Sequence, residues 1–267
     1  MLMPHLHLRP LGLKPKRPLL SALVLGLALS VTAMGQPVGA ATTDPDLGDA
    51  PASTNNFGVV MQYYPGSPPA NFPTVFFAGA QPTGPKHFNS PTVMYLGNGN
   101  VGGTITAEGQ ADVGGDADGI NNISPPANTA NQDRGDDGPD WTPMGGITFC
   151  QQKQFRYWVT VLPGAPTTAY VNSWVDFNNS GRWGDVFACG GLNVDEWIVK
   201  NQAITLPGPG VYLFSTPLFN ASPNPITQRR WARITLSETP ATWNAARVGS
   251  GPMNGWKSGE TEDYVLP

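Results

Sequence analysis

Hydrophobic and polar residues alternate with a period of two through much of the second half of the chain. In residues 155–162, Phe, Tyr and two Val residues hold one set of alternate positions, and Arg, Trp, Thr and Leu hold the other. Residues 169–177 show the same alternation. This period is typical of β-strands, because successive side chains of a strand point to opposite faces of a sheet. The same pattern predicts further strands at residues 198–206, 211–214, 230–236 and 263–266.

The connections between these segments indicate the fold class. They are short and rich in Pro, Gly and Asn, and no stretch has apolar residues at helical spacing over three turns. Strands and turns spaced in this way are typical of an antiparallel sandwich or barrel. We therefore expect an all-β fold, an antiparallel β-sandwich of jelly-roll type with long Gly/Asn/Asp-rich loops.

The first half of the chain is less regular. Residues 59–64 and 92–96 are predicted strands. Residues 97–146 are rich in Gly, Asn and Asp and contain few large apolar side chains. Such a segment buries too little surface to offset the entropy of ordering it. We expect a loop-rich acidic segment that is either flexible or held in place by bound ions.

The first forty residues have the pattern of an export signal. Basic residues between positions 9 and 17 precede an uncharged apolar run at residues 19–34, and small residues follow. This pattern predicts signal-peptide cleavage after Ala40, or alternatively after Gly35. An uncleaved membrane anchor is the other interpretation, but a span needs about 20 apolar residues and this run is shorter. We expect a secreted, extracellular protein, with the periplasm or the cell surface as other destinations.

Charge narrows the choice of partners. The sequence has 15 Lys and Arg residues against 19 Asp and Glu residues. Cleavage would remove four basic residues and no acidic one, which leaves eleven against nineteen and a net charge of −8. A chain this acidic is not expected to bind nucleic acid or anionic lipid. Residues 41–267 are of a suitable length for a single sandwich domain without a membrane span.

Two cysteines, Cys150 and Cys189, are the only ones in the chain. Export places them in an oxidising compartment, where an even pair predicts one disulfide. Closing a loop of about 40 residues in this way stabilises a fold by roughly 4 kcal/mol in the chain-entropy model.

Oxygen-bearing side chains are spaced as calcium ligands just after a predicted strand. The stretch Asp176-x-Asn178-x-Ser180, followed by glycine and then by Asp185, matches the first half of a helix–loop–helix calcium loop. The match is partial, because Phe187 stands where that motif has its bidentate glutamate. The alternative is an Asx-turn, in which Asp and Asn bond to their own backbone. We expect a structural Ca²⁺ ion whose remaining ligands come from elsewhere.

Several short motifs occur in a fixed order along the chain. They are DLGDAP at residues 46–51, GPKH at 84–87 with YLG at 95–97, an acidic Gly-rich stretch at 111–138, WVDFN at 174–178, and GETEDY at 259–264. In this order they resemble the GEVED domain of bacterial extracellular proteins, with Thr261 in place of the family's valine. The resemblance covers about residues 44–267. It implies a β-sandwich accessory module of secreted proteins, often beside proteases or adhesive repeats, without established catalytic residues.

Carboxylates at both ends of the domain suggest a second ion site. The termini of compact domains often lie close together. Asp46 and Asp49 at the start would then meet Glu262 and Asp263 at the end, and these side chains would repel one another unless a cation bridged them. We therefore expect these four residues as further metal ligands.

Three tryptophans, Trp183, Trp243 and Trp256, occur in Gly-, Asn- and Ser-rich segments. An indole on a loop can stack on a sugar or anchor a partner, so these residues are candidate ligand-binding side chains. The alternative is that they fill the core, as aromatic residues commonly do.

Candidate catalytic residues are few. His87 is the single histidine after the leader, and neither a zinc-protease helix motif nor a serine-hydrolase elbow motif occurs. We expect a non-catalytic binding or structural module that acts in adhesion or scaffolding at or outside the cell surface, with a polysaccharide or protein ligand. The alternative is a carboxylate-dependent extracellular hydrolase of polysaccharide or protein. A third interpretation is a structural subunit of an extracellular assembly, and the oligomeric state is not predicted.

Overall fold

A computed structural model provides the coordinates of the chain. It describes residues 47–48, 50, 69–74, 76, 78–88, 93–98, 137–144, 150–221 and 230–266. Residues 37–267 belong to one compact unit. The predicted leader, the predicted strand at 59–64 and most of the acidic segment 97–146 lie outside the described residues.

The described part of the chain is nearly all β, as the alternation predicts. The strands are β1 (Met94–Leu96), β2 (Pro139–Asp140), β3 (Gln152–Lys153), β4 (Arg156–Val161), β5 (Thr168–Val175), β6 (Val186–Cys189), β7 (Leu192–Asp195), β8 (Trp197–Thr205), β9 (Gly210–Ser215), β10 (Phe219–Asn220), β11 (Arg230–Ser237) and β12 (Gly259–Leu266). A 3₁₀ turn (Thr142–Met144) and one short helix, α1 (Trp243–Ala246), complete the described elements.

Two four-stranded antiparallel sheets form the sandwich. In the first sheet β4 pairs with β1 and β2 along one edge and with β9 along the other. The second sheet has the order β12-β11-β5-β8. Inward-facing side chains of both sheets share one core, including Tyr157 and Val159 from β4, Val171 from β5, and Ile234 and Leu236 from β11. The antiparallel sandwich expected from the sequence is therefore confirmed.

A second core covers the other face of the second sheet. It is built from large aromatic side chains and small alanines, and it lies between the sheet and the segments 69–74 and 241–256. Burial on both faces explains why every residue of β11 is buried. Its largest members are Phe72, Trp174, Trp183, Trp197, Trp231 and Trp256.

The strands predicted from alternation in residues 155–266 are all present, with ends shifted by a few residues. The β6–β7 hairpin was not predicted, although its turn has a recognisable sequence. Gly190 and Gly191 both have positive φ, 57° and 90°, which a two-residue hairpin turn of the favoured twist requires. The predicted disulfide is confirmed, because Cys150 is bonded to Cys189 at the end of β6. Within the described ranges, no helix has the length and apolar character that crossing a membrane requires.

Candidate functional site

The predicted calcium ligands come together in the turn after β5. Asp176 Oδ1 accepts the N–H of Ser180 at 3.0 Å, and its Oδ2 accepts the N–H of Gly181 at 2.9 Å. Asn178 Oδ1 also accepts the Ser180 N–H at 3.0 Å, and Asn178 Nδ2 donates to Asp185 Oδ2 at 2.8 Å. These hydrogen bonds are those of an Asx-turn, the alternative that the sequence left open.

A third carboxylate, Glu196, lies against the same turn. It comes from the short connection between β7 and β8. Its Oε1 accepts the N–H of Phe177 and its Oε2 accepts the N–H of Asp185, both at 3.0 Å. The sequence spacing gave no sign of this residue, because the turn and Glu196 meet only through the pairing of their strands. We call Asp176, Asp185 and Glu196 the acidic turn.

The carboxylates of the acidic turn differ in their surroundings. Asp176 and Glu196 have no solvent exposure, whereas Asp185 forms a surface ion pair with Arg182 at 3.4 Å. Burial raises the pKa of Asp176 to about 6. Burial, and then the nearby charge of Asp176, raise the pKa of Glu196 to about 9. Within the described ranges, neither of these buried carboxylates forms an ion pair with a basic side chain.

The acidic turn is not a complete metal site. Among the residues that the structure describes, no three His, Cys, Asp or Glu side chains converge as metal ligands would. The oxygens of Asp176 and Glu196 already accept backbone N–H groups, including those of Ser180, Gly181, Phe177 and Asp185. The calcium ion expected from the spacing therefore stays a prediction.

At the other predicted ion site, β12 directs its carboxylates to opposite faces. Asp263 is bound by Arg233 on the neighbouring strand, with Nε 2.7 Å from Oδ1 and Nη2 2.6 Å from Oδ2. The N–H of Ala50 donates to Asp263 Oδ2 at 2.8 Å. A Cβ on Gly48 would lie 2.8 Å from the same oxygen, so only glycine allows this approach. The start and the end of the domain therefore meet, as predicted, and a guanidinium group lies at their contact.

Glu262 points away from Asp263, towards the first sheet. Its Oε1 accepts the N–H groups of Asp137 and Gly138, both at 3.1 Å, and its Oε2 accepts the hydroxyl of Tyr264 at 2.9 Å. Burial raises the pKa of Glu262 to about 8. Since adjacent strand residues face opposite ways, the structure does not bring Glu262 and Asp263 together as ligands of one ion. Asp46 and Asp49 lie outside the described residues.

The structure corrects the prediction that three tryptophans bind a ligand. Trp183 and Trp256 are each only 1% exposed, so the prediction that they offer their rings to a ligand is wrong. Trp183 packs on Phe72 at 4.3 Å, and Trp256 stacks on His87 at 5.0 Å between ring centroids. The second sheet needs a cover on its outer face, and segments without strand periodicity provide it. Trp243 is the first residue of α1, and its side chain lies outside the described part.

His87 has a structural environment. Its Nδ1 lies 3.2 Å from the carbonyl oxygen of Ser258, and its Nε2 lies 3.0 Å from the hydroxyl of Thr261. Burial lowers the pKa of His87 to about 3. The imidazole is therefore neutral at ordinary pH and ties residue 87 to the start of β12.

A surface groove of about 770 Å³ lies beside α1. This volume is within the usual range of small-ligand sites, roughly 300–1,000 Å³. Its polar lining consists of three amide side chains and one hydroxyl, and its apolar lining consists of two prolines, a valine and a methionine. We call it the neutral groove. Its polar members are Gln81, Thr242, Asn244 and Asn254.

Hydrogen bonds hold the two walls of the neutral groove together. Gln81 Nε2 donates to the carbonyl oxygen of Gly251 at 3.1 Å, and Ser250 Oγ donates to Gln81 Oε1 at 3.1 Å. The N–H of Gly79 donates to the carbonyl oxygen of Met253 at 2.8 Å. These bonds connect the segment 79–81 directly to the segment 250–253. None of the groove's described lining residues was singled out from the sequence, although Asn244 directly follows the candidate Trp243 in α1.

Comparisons of the chain with protein-family models, with curated proteins and with solved structures found no match.

Proposed function

We propose that this chain is a secreted, non-catalytic binding module of the GEVED type, which acts in adhesion or scaffolding at or outside the cell surface. Its ligand is a polymer held in the neutral groove, and an uncharged polysaccharide fits best. One observation carries this proposal, namely that every described side chain lining the groove is uncharged.

The lining supports binding rather than catalysis. General acid–base catalysis needs a titratable group within hydrogen-bond reach of the substrate. Amides and hydroxyls donate and accept hydrogen bonds, but they do not ionise near neutral pH and so cannot act as general acids or bases there. Three carboxylates with raised pKa, Asp176, Glu196 and Glu262, are at most 1% exposed, so a polymer cannot reach them. Asp137, whose pKa is also raised, is half-buried but does not line the groove. The hydrolase alternative therefore has less support.

The mixture of groups favours carbohydrate. Each amide offers both a donor and an acceptor, which suits the hydroxyl groups of a sugar. Met253, which is half exposed, and the neighbouring Pro252 supply an apolar surface for the C–H faces of a sugar ring. An anionic polymer would find no cation among these lining residues and would meet a chain of net negative charge.

We further propose that a structural Ca²⁺ ion binds at the acidic turn. Asp176 and Glu196 are both buried beside the same turn, and the charge of Asp176 raises the cost of ionising Glu196, while Asp185 raises that of Asp176. A divalent cation would relieve this repulsion, and the short oxygen-bearing side chains of a turn are suitable ligands. Residues such as Asn178 and Asp185 lie within the same turn.

The groove is tested by binding to immobilised polysaccharides, neutral and anionic, with release of reducing ends followed in parallel. We expect retention on a neutral polysaccharide without release. The double variant Asn244→Ala with Asn254→Ala should weaken retention at least about tenfold, since two hydrogen bonds are each worth about 1 kcal/mol. Leu218→Ala is the matched control, because Leu218 is exposed but is not among the lining residues.

Two results would contradict the proposal. Equal retention of the double variant and the control would remove the groove as the binding site. Release of reducing ends that a single Asp→Asn change abolishes would establish the hydrolase instead.

A further inference from the structure

Strand β9 (Gly210–Ser215) has one edge that no described strand pairs with. Its inner edge pairs with β4, in the register Tyr157↔Phe214 and Val159↔Tyr212. On the opposite side of β4, Trp158 donates its N–H to Gly138 and accepts the N–H of Gly97. Backbone groups of successive strand residues point to alternate sides. The even-numbered residues of β9 therefore bond to β4.

The odd-numbered residues of β9 point their backbone groups to the open edge. These residues are Val211, Leu213 and Ser215. The Ser215 carbonyl oxygen accepts a hydrogen bond from Gln202 Nε2 at 2.8 Å, so the end of the edge is partly covered. The side chains of Val211 and Leu213 are each 42% exposed. The middle of β9 thus combines an open backbone edge with exposed apolar side chains.

The other edge strands of the sandwich carry features that prevent pairing, and β9 carries none of them. Strands β1 and β2 are three and two residues long, and β2 contains a proline. Strand β8 has register irregularities against β5 and carries Lys200. Strand β12, the other edge of the second sheet, is eight residues long but carries three acidic residues. Natural sheets use short strands, proline, charged side chains and bulges in this way to protect their edges. Strand β9 is six residues long and contains no charge and no proline.

We propose that β9 pairs with β9 of a second copy of this chain, as an antiparallel strand across a two-fold axis at Leu213. In this register Leu213 faces Leu213 of the other copy, and Val211 faces Ser215. In an antiparallel pair, hydrogen-bonded residues recur at every second position. The outward N–H and carbonyl groups of one copy therefore lie opposite those of the other copy, because the two strands are identical and related by the two-fold axis. The two leucines pack against each other across the axis.

A second copy suits this edge better than a charged partner. The chain is acidic, so two copies repel each other except where their surfaces are neutral. The sequence of β9, GVYLFS, is neutral throughout. A pairing of this kind closes at two copies, since it uses the same edge of both. The contact is small, so we expect a dimer that dissociates on dilution.

Sedimentation velocity of the purified full chain over about 10–500 µM, a range chosen for a small and transient interface, tests the proposal. We expect the mass of the wild type to rise from monomer to dimer across this range. Leu213→Lys places two like charges at the axis, and Leu213→Pro removes an outward N–H without removing a bond to β4. Both variants should stay monomeric and should melt close to the wild-type temperature. Leu218→Lys is the matched control, because Leu218 is 62% exposed but lies outside the strand.

A wild type that is monomeric throughout the range would overturn the proposal, whatever extended peptide the edge then binds. So would dimers of both Leu213 variants as stable as the wild type. Binding to polysaccharide is measured separately, and the groove residues are not on β9, so failure of this proposal is distinct from failure of the proposed function.

Discussion

Arg233 and Asp263 face each other as paired residues of neighbouring strands, and both side chains are completely buried. Two hydrogen bonds join them, and the remaining guanidinium nitrogen donates to the carbonyl oxygens of Pro73 and Gly249. The guanidinium also lies over the ring of Trp183, 4.7 Å from its centroid. One side chain thus joins β11, β12 and the layer that covers the second sheet.

Arg233→Met should destabilise the domain by about 3–5 kcal/mol, because it leaves Asp263 charged and buried without its partner. Urea unfolding followed by tryptophan fluorescence measures this change, since many indoles lie in the affected core. Arg156→Ala is the matched control. Arg156 forms an exposed ion pair with Asp140 at 3.6 Å, and removing such a pair costs at most about 1 kcal/mol. Equal losses in the two variants would contradict the role given to Arg233.

The sequence predicts those features of the fold that a short stretch of residues determines, and it does not predict contacts between residues far apart in the chain. The period of two in residues 155–162 or 230–236 is visible along the chain, so the strands follow from it. The disulfide follows from having one pair of cysteines in a chain that is predicted to be exported. The pairing of Asp263 with Arg233 cannot be predicted from the sequence, because Arg233 lies in a strand of alternating residues. In such a strand a charged residue is expected to face solvent.

The second core, which is largely aromatic, could not be predicted from the sequence either. Trp183 and Trp256 stand among turn residues, and only the folded chain brings them onto the outer face of the second sheet. Glu196 likewise joins Asp176 through the pairing of β5 with β8. Residues that meet only through strand pairing leave no spacing pattern in the sequence, and this is why Glu196 could not be predicted as part of the acidic turn.

Glu262→Gln should remove a pH dependence of stability. The folded pKa of Glu262, about 8, is above its ordinary value of 4.5, so its stabilising contribution is complete below pH 4.5 and is lost as pH rises through about 8. Glutamine cannot ionise, and its oxygen can still accept the N–H groups of Asp137 and Gly138. We therefore expect the variant to lose less stability than the wild type between pH 5 and about 8.

Urea midpoints measured at several pH values test this expectation, with Glu238→Gln as the matched control. Glu238 also accepts two backbone N–H groups, from Lys257 and Ser258, but it lies at a more exposed position. Parallel pH profiles of the wild type and Glu262→Gln would show that Glu262 does not titrate in this window.

His87 should produce the opposite dependence at lower pH. Burial lowers its folded pKa to about 3 from 6.5, so the unfolded chain binds a proton that the folded chain rejects. Stability contributed by the neutral imidazole is complete above pH 6.5 and is lost as pH falls, at up to about 1.4 kcal/mol per pH unit.

A His87→Gln variant tests this, because glutamine keeps a donor and an acceptor but does not titrate. Its urea midpoint should fall less steeply than that of the wild type between pH 6.5 and pH 4, even if it is lower at pH 7. Difference profiles against the wild type remove the contributions of the carboxylates, which both proteins share. A variant that loses stability as steeply as the wild type would exclude His87 as the titrating group.

Calcium should raise the melting temperature of the wild type above that of a chelated sample. An ion that binds only the folded state stabilises by about 2.7 kcal/mol at a hundred times its dissociation constant. Glu196→Gln should abolish this rise, because it removes one of the two buried carboxylates of the acidic turn, neither of which forms an ion pair in the described part.

Asp195→Asn is the control that distinguishes calcium binding at the acidic turn from a nonspecific attraction of calcium to surface carboxylates. Asp195 is adjacent in sequence to Glu196 but pairs with Lys200 at 2.8 Å, at the surface. It should therefore keep the calcium response of the wild type. Asp263→Asn should keep that response as well, because Arg233 already neutralises Asp263. If chelated and calcium-loaded wild type melt at the same temperature and no bound metal is detected, Glu196 is protonated at neutral pH instead, and the turn depends on its hydrogen bonds alone.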